Sequence, residues 1–517
     1  MKAIISRTNN YMRENRTSIF RSVATCFWLL ICVHLFARQD RQPKQMNIIF
    51  ILSDDHRYDA MGFMGKIKGL QTPGMDRLAN EGAHLKNAFV STSLCSPSRA
   101  SILTGLYAHT HTVVDNEAPM PAGLTFFPQY LQKKGYQTSF YGKWHMGNTD
   151  DQPQPGFDHW VSFRGQGVYY KPVLNIDGKR VPQAEGSYTT DLLTEQAIDW
   201  LNKRDKQKPF FVYLSHKGVH AEFQPAKRHE GKYANIPIIT PPSMYLTATD
   251  SSKYYGIPTA PATTVNYSDI PKWVRNQRYS WHGVDFMYHG TIKFDVFYRR
   301  YLETLQAVDE SIERVLNWLK ENNLDKNTMV VYMGDNGFSF GEHGLIDKRH
   351  AYEESMRVPL LAWAPGFIKP KSVIENVVMN VDIAPTFLEL AGMEVPKNMQ
   401  GQSFLPLLQG KNIPWRNKVF YEYYWEAAFP QTPTIYSIRT ERYKYIYNHG
   451  VWDINELYDL QNDPYEMNNL IRNKSLEPIG KQLRNELFEW LEKSNGLQIP
   501  LKKAVGNRND NRYGGTY

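Results

Sequence analysis

The sequence predicts an α/β fold, a large mixed sheet sandwiched by helices, with a smaller antiparallel sheet at the C-terminal end. Three observations predict it. Four short apolar runs, residues 47–52 (NIIFIL), 137–141, 210–214 and 328–333, have the length and composition of buried parallel strands. Helical patterns lie between them at 74–81, 125–134 and 298–322. The last carries Leu302, Leu305, Val308, Ile312, Leu316 and Leu319 on one face. After about residue 410 the pattern changes to Tyr-rich strand candidates at 419–424, 436–439 and 443–447. Leu483, Leu487 and Leu491 then mark a helix over 477–493.

Each of the four strands ends in residues suited to chemistry. The first runs into Ser53-Asp54-Asp55-His56 and the second into Gly142-Lys143-Trp144-His145. The third runs into Ser215-His216-Lys217, with His220 close behind, and the fourth into Gly334-Asp335-Asn336-Gly337. Open α/β sheets bind ligands outside the carboxyl ends of their strands. Taken singly, Asp54-Asp55 reads as a solvated turn, His145 as a satisfied core histidine and Lys348 as a surface lysine. Asp335-Asn336-Gly337 is by itself a good turn sequence. Four such endings in one sheet read as a site.

Length and composition set the frame. The 517 residues are 42% hydrophobic and 22% charged, the balance of a globular chain that fills one large domain and a smaller one. The boundaries read as a signal peptide at 1–37, a catalytic domain at 46–410, a C-terminal subdomain at 411–500 and a disordered tail at 501–517. The signal rests on basic Lys2, Arg7, Arg13, Arg16 and Arg21 ahead of the apolar stretch 23–37. That stretch is short for a stable membrane span, with a signal anchor as the alternative. Half of the formal +8 charge sits in this segment, and no Lys/Arg-rich run marks a nucleic-acid partner. The chain is therefore expected to be periplasmic or secreted. Residues 223–290, rich in Pro, Tyr, Ser and Thr, read as an insertion over the active face.

The cysteine count sharpens this picture. Cys26 and Cys32 both lie in the signal stretch, so the exported chain keeps Cys95 alone and forms no internal disulfide. Either Cys95 is a buried small hydrophobe or it is chemically active. Its neighbours favour activity. Pro97 suits the first turn of a helix over 98–103 that Gly105 ends. Free N–H groups and the helix dipole there favour an anion, and Arg99 is expected to point the same way.

Cys95-Ser96-Pro97-Ser98-Arg99, followed by Leu103-Thr104-Gly105, resembles the first signature of the sulfatase family. Gly135-Tyr136-Gln137-Thr138, running on to Gly142-Lys143-Trp144-His145, resembles the second, with Tyr141 bulkier than the residue often found there. Asp54-Asp55, Asp335-Asn336, Lys348 and the Glu456-to-Pro464 segment also match, so the likeness runs from about 46 to 495. It implies an alkaline-phosphatase-like fold and a Cys95 that a maturation enzyme oxidises to formylglycine, an aldehyde that hydrates to a gem-diol. One hydroxyl of the diol attacks the sulfate sulfur and displaces the alcohol. Loss of the other proton then ejects sulfate and restores the aldehyde, a covalent mechanism in two easier steps.

The same resemblance assigns roles. Asp54, Asp55, Asp335 and Asn336, with the matured Cys95, imply one metal ion. Their oxygen ligands suit calcium or magnesium rather than zinc, and calcium is the family expectation. Arg99 and Lys143 are implied to hold the nucleophile and the sulfate oxygens. His145 is the implied base for the second hydroxyl. His220, with Lys348, is the implied donor to the leaving alcohol, and His216 is its rival. His56, His109, His111 and His343 read as structural or supporting. The expected substrate is a sulfated oligo- or polysaccharide, because several segments resemble bacterial sulfatases of N-acetylglucosamine 6-sulfate or of ulvan. The alternatives are a phosphonate or phosphate ester hydrolase of the same superfamily and, from another class, an inactive glycan-binding protein.

Overall fold

A computed structural model describes residues 45–500 apart from 148, 239, 248–266, 288–291 and 451. The expected signal peptide and C-terminal tail, and part of the expected insertion, lie outside the described residues. The large sheet has ten strands in the order β10-β2-β9-β8-β1-β7-β3-β4-β5-β6. These are β1 (Asn47–Ser53), β2 (Ala83–Phe89), β3 (Gln137–Lys143), β4 (His159–Phe163), β5 (Val173–Ile176) and β6 (Lys179–Pro182). Then come β7 (Phe210–Ser215), β8 (Thr328–Gly334), β9 (Leu360–Trp363) and β10 (Ser372–Met379). The four strands read from sequence are β1, β3, β7 and β8. They form the parallel centre, joined by β4. The antiparallel pairings of β9, β5 and β6 make the sheet mixed, as predicted.

The central position of these strands has its cause in their side chains. Alternate residues of β1 face opposite ways. Ile49 and Ile51 enter one core with Val212, Leu214 and Val330. There they meet α1 (Pro73–Glu81), α4 (Thr189–Lys203) and the 28-residue α5 (Phe294–Glu321). Ile48, Phe50 and Leu52 enter the other core with Phe211, Tyr213 and Val331. That face is covered by α2 (Cys95–Thr104), α3 (Phe127–Lys133) and α6 (Ile383–Leu390). A strand buried on both faces has to be apolar throughout, which is why β1 reads NIIFIL.

The register sets the carboxyl ends level. Leu52 pairs with Ser215, Ser53 with Gly334, and Gly142 with Ser215. The last pairing is close. Gly142 has φ 113°, and a Cβ there would fall 1.8 Å from the Ser215 carbonyl oxygen. Gly142→Ala is therefore expected to cost at least about 3 kcal/mol, from strain and strand separation together. An unchanged urea midpoint for this variant would show that β3 and β7 do not approach in this way.

The second sheet is antiparallel, β11 (Val419–Tyr423), β12 (Thr434–Arg439), β13 (Tyr443–His449) and β14 (Glu456–Asp459). One face packs Tyr421, Tyr423, Ile435 and Ile446 against Leu345, Ala351 and Tyr352 of the first sheet's loops. The other packs Tyr436, Ile438 and Tyr445 against Leu483, Leu487 and Leu491 of α7 (Glu477–Lys493). Among the described residues no helix is long and apolar enough to cross a membrane.

Candidate active site

The four strand ends and α2 converge. α2 begins at Cys95 itself, earlier than the 98–103 helix expected. Leu94 is extended and its carbonyl accepts from Ser98 N–H at 2.9 Å. Pro97 thus falls in the first turn, where a missing N–H needs no partner. Gly105 ends the helix in the left-handed region, donating to the Ser101 carbonyl at 2.9 Å. Cys95 is therefore the first helical residue rather than the one before the helix, and its thiol is wholly buried.

Around Cys95 the predicted residues assemble. Its Sγ donates to Asp54 Oδ1 at 3.3 Å and accepts from Lys348 Nζ at 3.0 Å. Lys348 Nζ also pairs with Asp55, and Lys143 Nζ with Asp54. Arg99 reaches four groups. Its Nε donates to Asp335 Oδ2 at 2.9 Å, its Nη1 donates to the Lys143 carbonyl and Ser215 Oγ at 2.6 Å, and its Nη2 lies 3.5 Å from Asp54. One guanidinium thus ties α2 to the ends of β1, β3, β7 and β8.

Asp54, Asp55 and Asp335 bring carboxylate oxygens within 4.8 Å of one another, and Asp54, Cys95 and His220 do the same with their ligand atoms. Asn336 Nδ2 donates to Asp55 Oδ1 at 2.7 Å. Buried Asn336 Oδ1 has no hydrogen-bond partner among the described residues. Three carboxylates and an unfilled amide oxygen form an all-oxygen donor set, the chemistry of a hard divalent cation. Against the cost of burial, Lys143, His220, Arg99 and Lys348 hold Asp54 well below the usual carboxylate range. Burial pushes Asp55 up to about 6, with Asp54 and Asp335 adding to the rise and Lys348 opposing it. Burial and Asp54 likewise raise Asp335. A site that holds two carboxylates above their normal range is one in which positive charge is in demand.

Burial and the neighbouring Asp54 push the Cys95 thiol up to about 12. A thiol so raised stays neutral, the opposite of an activated cysteine. The Cys95 side chain thus has the placement of a nucleophile without the ionisation of one.

The histidines separate. His220 Nε2 lies 3.9 Å from Asp55 Oδ2, in the cluster. His216 turns away to Ser311 of α5, with Nε2 3.0 Å from its Oγ. His145 has φ 59° and its Nδ1 lies 3.4 Å from Ser96 Oγ, while its buried Nε2 has no partner among the described residues. Burial, then Lys143, hold His145 well below its ordinary range; burial, then Lys348, do the same for His220. Both positions therefore favour the neutral imidazole over the charged one. His56 meets the Tyr332 hydroxyl at 2.6 Å, His109 meets Glu422, His111 meets Ser101 and His343 stacks on Tyr352.

Several residues of the site had no role assigned from the sequence. Gln166, on the β4–β5 connection, accepts from Lys143 Nζ at 2.5 Å. Buried Lys217 lies over the Tyr169 ring, 4.8 Å from its centroid. Beside Lys348, Asp347 and Arg349 are buried and paired at 2.9 Å. The insertion reaches them, Gln277 Nε2 donating to Asp347 Oδ2 at 2.9 Å and His282 stacking on Phe429. Arg349 also pairs with Glu426 at 2.8 Å, so the second sheet contributes to this wall.

A sulfatase family profile matches residues 46–393, and a profile for the C-terminal part of N-sulphoglucosamine sulphohydrolase matches 341–493. The chain is 36% identical to an N-acetylglucosamine-6-O-sulfatase of Bacteroides thetaiotaomicron, over 92% of this chain and 91% of that one. It is 28% identical to an ulvan-active sulfatase of Formosa agariphila, over 90% and 84%. Among solved structures, one of a protein in complex with its substrate D-glucosamine-2-N,6-O-disulfate superposes with a TM-score of 0.76 at 35% identity. That match covers 89% of this chain and all of the other. The chain belongs to the sulfatase family and is a sulfuric ester hydrolase.

Proposed function

We propose that this sulfatase acts outside the cytoplasm on a sulfated saccharide, with 6-O-sulfated N-acetylglucosamine as the first candidate and an algal polysaccharide such as ulvan as the second. Cys95, converted to formylglycine by a maturation enzyme, is the nucleophile's source. The observation that carries this reading is a neutral, wholly buried thiol held between Asp54 and Lys348. A thiol attacking sulfur leaves a thiosulfate with no easy exit, whereas a hydrated aldehyde at that position offers one hydroxyl to attack and a second to release the sulfate.

Asp54, Asp55, Asp335 and Asn336 would hold one calcium ion, which when bound neutralises sulfate charge and lowers the pKa of a neighbouring hydroxyl. The chain's own residues do the rest. Arg99, held by Asp335, Lys143 O and Ser215, fixes the height of α2 and supports the nucleophile. The Lys143 and Lys348 ammoniums stand ready for sulfate oxygens. His145, whose burial favours the neutral ring and whose Nε2 has no partner among the described residues, accepts the proton of the second hydroxyl. His220, once its Nε2 has taken up a proton, passes that proton to the leaving alcohol, with Lys348 beside it.

His220→Ala is expected to lower kcat about 10²- to 10⁴-fold on a sugar sulfate, the usual range for a general acid. The loss should be smaller on an aryl sulfate, whose leaving group needs no proton. His216→Ala should spare kcat and lower stability instead. Equal loss on both substrates would remove His220 from the acid role.

The experiment that tests the function measures inorganic sulfate released by the matured, calcium-loaded enzyme. The substrates are 6-O-sulfated N-acetylglucosamine, ulvan oligosaccharides, and phosphate and phosphonate monoesters. Turnover confined to the phosphorus esters would overturn the reading. So would tight binding of sulfated glycan without sulfate release when Cys95 is demonstrably converted.

A further inference from the structure

Among the described residues, the charge pairing of the cluster leaves one cation over. Arg99 is matched to Asp335 and Asp54, Lys143 to Asp54, and Lys348 to Asp55. Lys217 is only 5% exposed, yet among the described residues its ammonium makes no ion pair and no hydrogen bond. Its one partner is the face of Tyr169, 4.8 Å away. That ring is fixed in turn, its hydroxyl donating to the His220 carbonyl at 2.7 Å and its face stacked on Tyr188.

The backbone of Lys217 is equally fixed. His216 N–H donates to Leu52 O at 2.8 Å, Asp54 N–H donates to Gly218 O at 2.9 Å, and Val219 N–H donates to Asp54 O at 2.8 Å. Lys217 is thus laced to the Asp54 strand end, within the field of Lys143, Asp54, Asp55 and Cys95. Lys143 meets Gln166 from the same β4–β5 connection that supplies Tyr169. Two ammoniums therefore share one wall of the cluster. A buried cation with only a π face for company is costly unless an anion completes it. Burial and Lys143 depress it to about 7.

We propose that Lys217 is a further sulfate ligand: its ammonium takes an oxygen of the sulfate group, whether ester or released inorganic anion, on the side of the pocket formed by Lys143, Gln166 and Tyr169. This rests on the sulfate-ester reading above and adds one residue to it.

The test uses the matured, calcium-loaded full chain with Lys217→Met, which keeps the length and removes the charge, and Lys217→Arg, which keeps the charge. Sodium sulfate is titrated against melting temperature, with sodium chloride as the ionic-strength control, and is also titrated as a product inhibitor. The methionine variant should bind sulfate about tenfold more weakly or worse, as for a lost charge-assisted contact. Its melting temperature without sulfate should be equal or higher. The arginine variant should retain part of the affinity. The inference is overturned if the methionine variant binds sulfate like the parent, or if it fails to fold, which would make Lys217 structural. If the parent binds sulfate but turns over no sulfate ester, the functional reading fails while the sulfate titration still decides the role of Lys217.

Discussion

Cys95→Ala is expected to abolish sulfate release, with kcat falling by at least about 10⁴-fold, the scale seen when a covalent nucleophile is removed. The expectation rests on placement. Cys95 opens α2, is wholly buried, and touches both Asp54 and Lys348. Cys95→Ser is the more demanding variant. A serine hydroxyl can attack sulfur, but the resulting ester has no second hydroxyl to expel the sulfate. It should therefore show at most one slow turnover and leave sulfated protein behind. Mass spectrometry of the Cys95 peptide gives the companion result, aldehyde in the active enzyme and thiol in protein made without the maturation system. Sulfate release that survives Cys95→Ala would sink the mechanism whatever the substrate. The fold should tolerate the alanine, since the small hole it leaves is lined by polar groups that already pair with one another.

The central architecture was legible in the sequence because its cause is local. β1, β7 and β8 are buried on both faces, so they are uninterrupted apolar runs, and each hands its chain to a polar ending. The edges were not legible. β6 is KRVP and exposed along its length, and β10 carries an irregularity between Ile374 and Val377 that breaks the alternation of its pattern. Helices α4 and α6 escaped too, since neither combines a long apolar stripe with distinctive ends. The site divides the same way. Asp54, Asp335, Lys143 and His220 end strands or lie just beyond them and could be read off. Lys217, Gln166 and Tyr169 gain their meaning only from tertiary contact between the ends of β7 and β4. Lys217 lies in a strand ending read as suited to chemistry, but its own part shows only in its burial. The choice of His220 over His216 is likewise a matter of direction, one ring facing Asp55 and the other Ser311 of α5.

Chelating the divalent cation is expected to abolish turnover and to lower the melting temperature, with calcium restoring both. The stabilisation a bound ion gives grows with its concentration, about 4 kcal/mol at a thousandfold excess over the dissociation constant. The metal-free protein should also acquire a pH dependence that the loaded protein lacks. Asp55 is pushed up to about 6 by burial, with help from Asp54 and Asp335, against an ordinary value of 3.8. A carboxyl raised on folding binds its proton more tightly in the folded chain than in the unfolded one, so its contribution is present at low pH and is lost as pH rises through 6. Asp335 shifts in the same direction. Asp54 is lowered, so its effect falls below its ordinary value of 3.8 and does not offset the others in this window. Buried neutral histidines, His145 and His220 among them, act in the opposite sense, so the carboxylate part is read as a difference: the melting temperature gained on adding calcium should grow between about pH 4 and pH 6. A bound cation favours all three carboxylates in their charged form and should flatten their slope, releasing protons on binding. Calorimetry in buffers of different ionisation enthalpy counts those protons directly. Zinc, which prefers nitrogen and sulfur donors, should restore neither stability nor activity as calcium does. A metal-free slope equal to the loaded one, with no proton release, would mean that the three carboxylates are satisfied by Arg99, Lys143 and Lys348 alone.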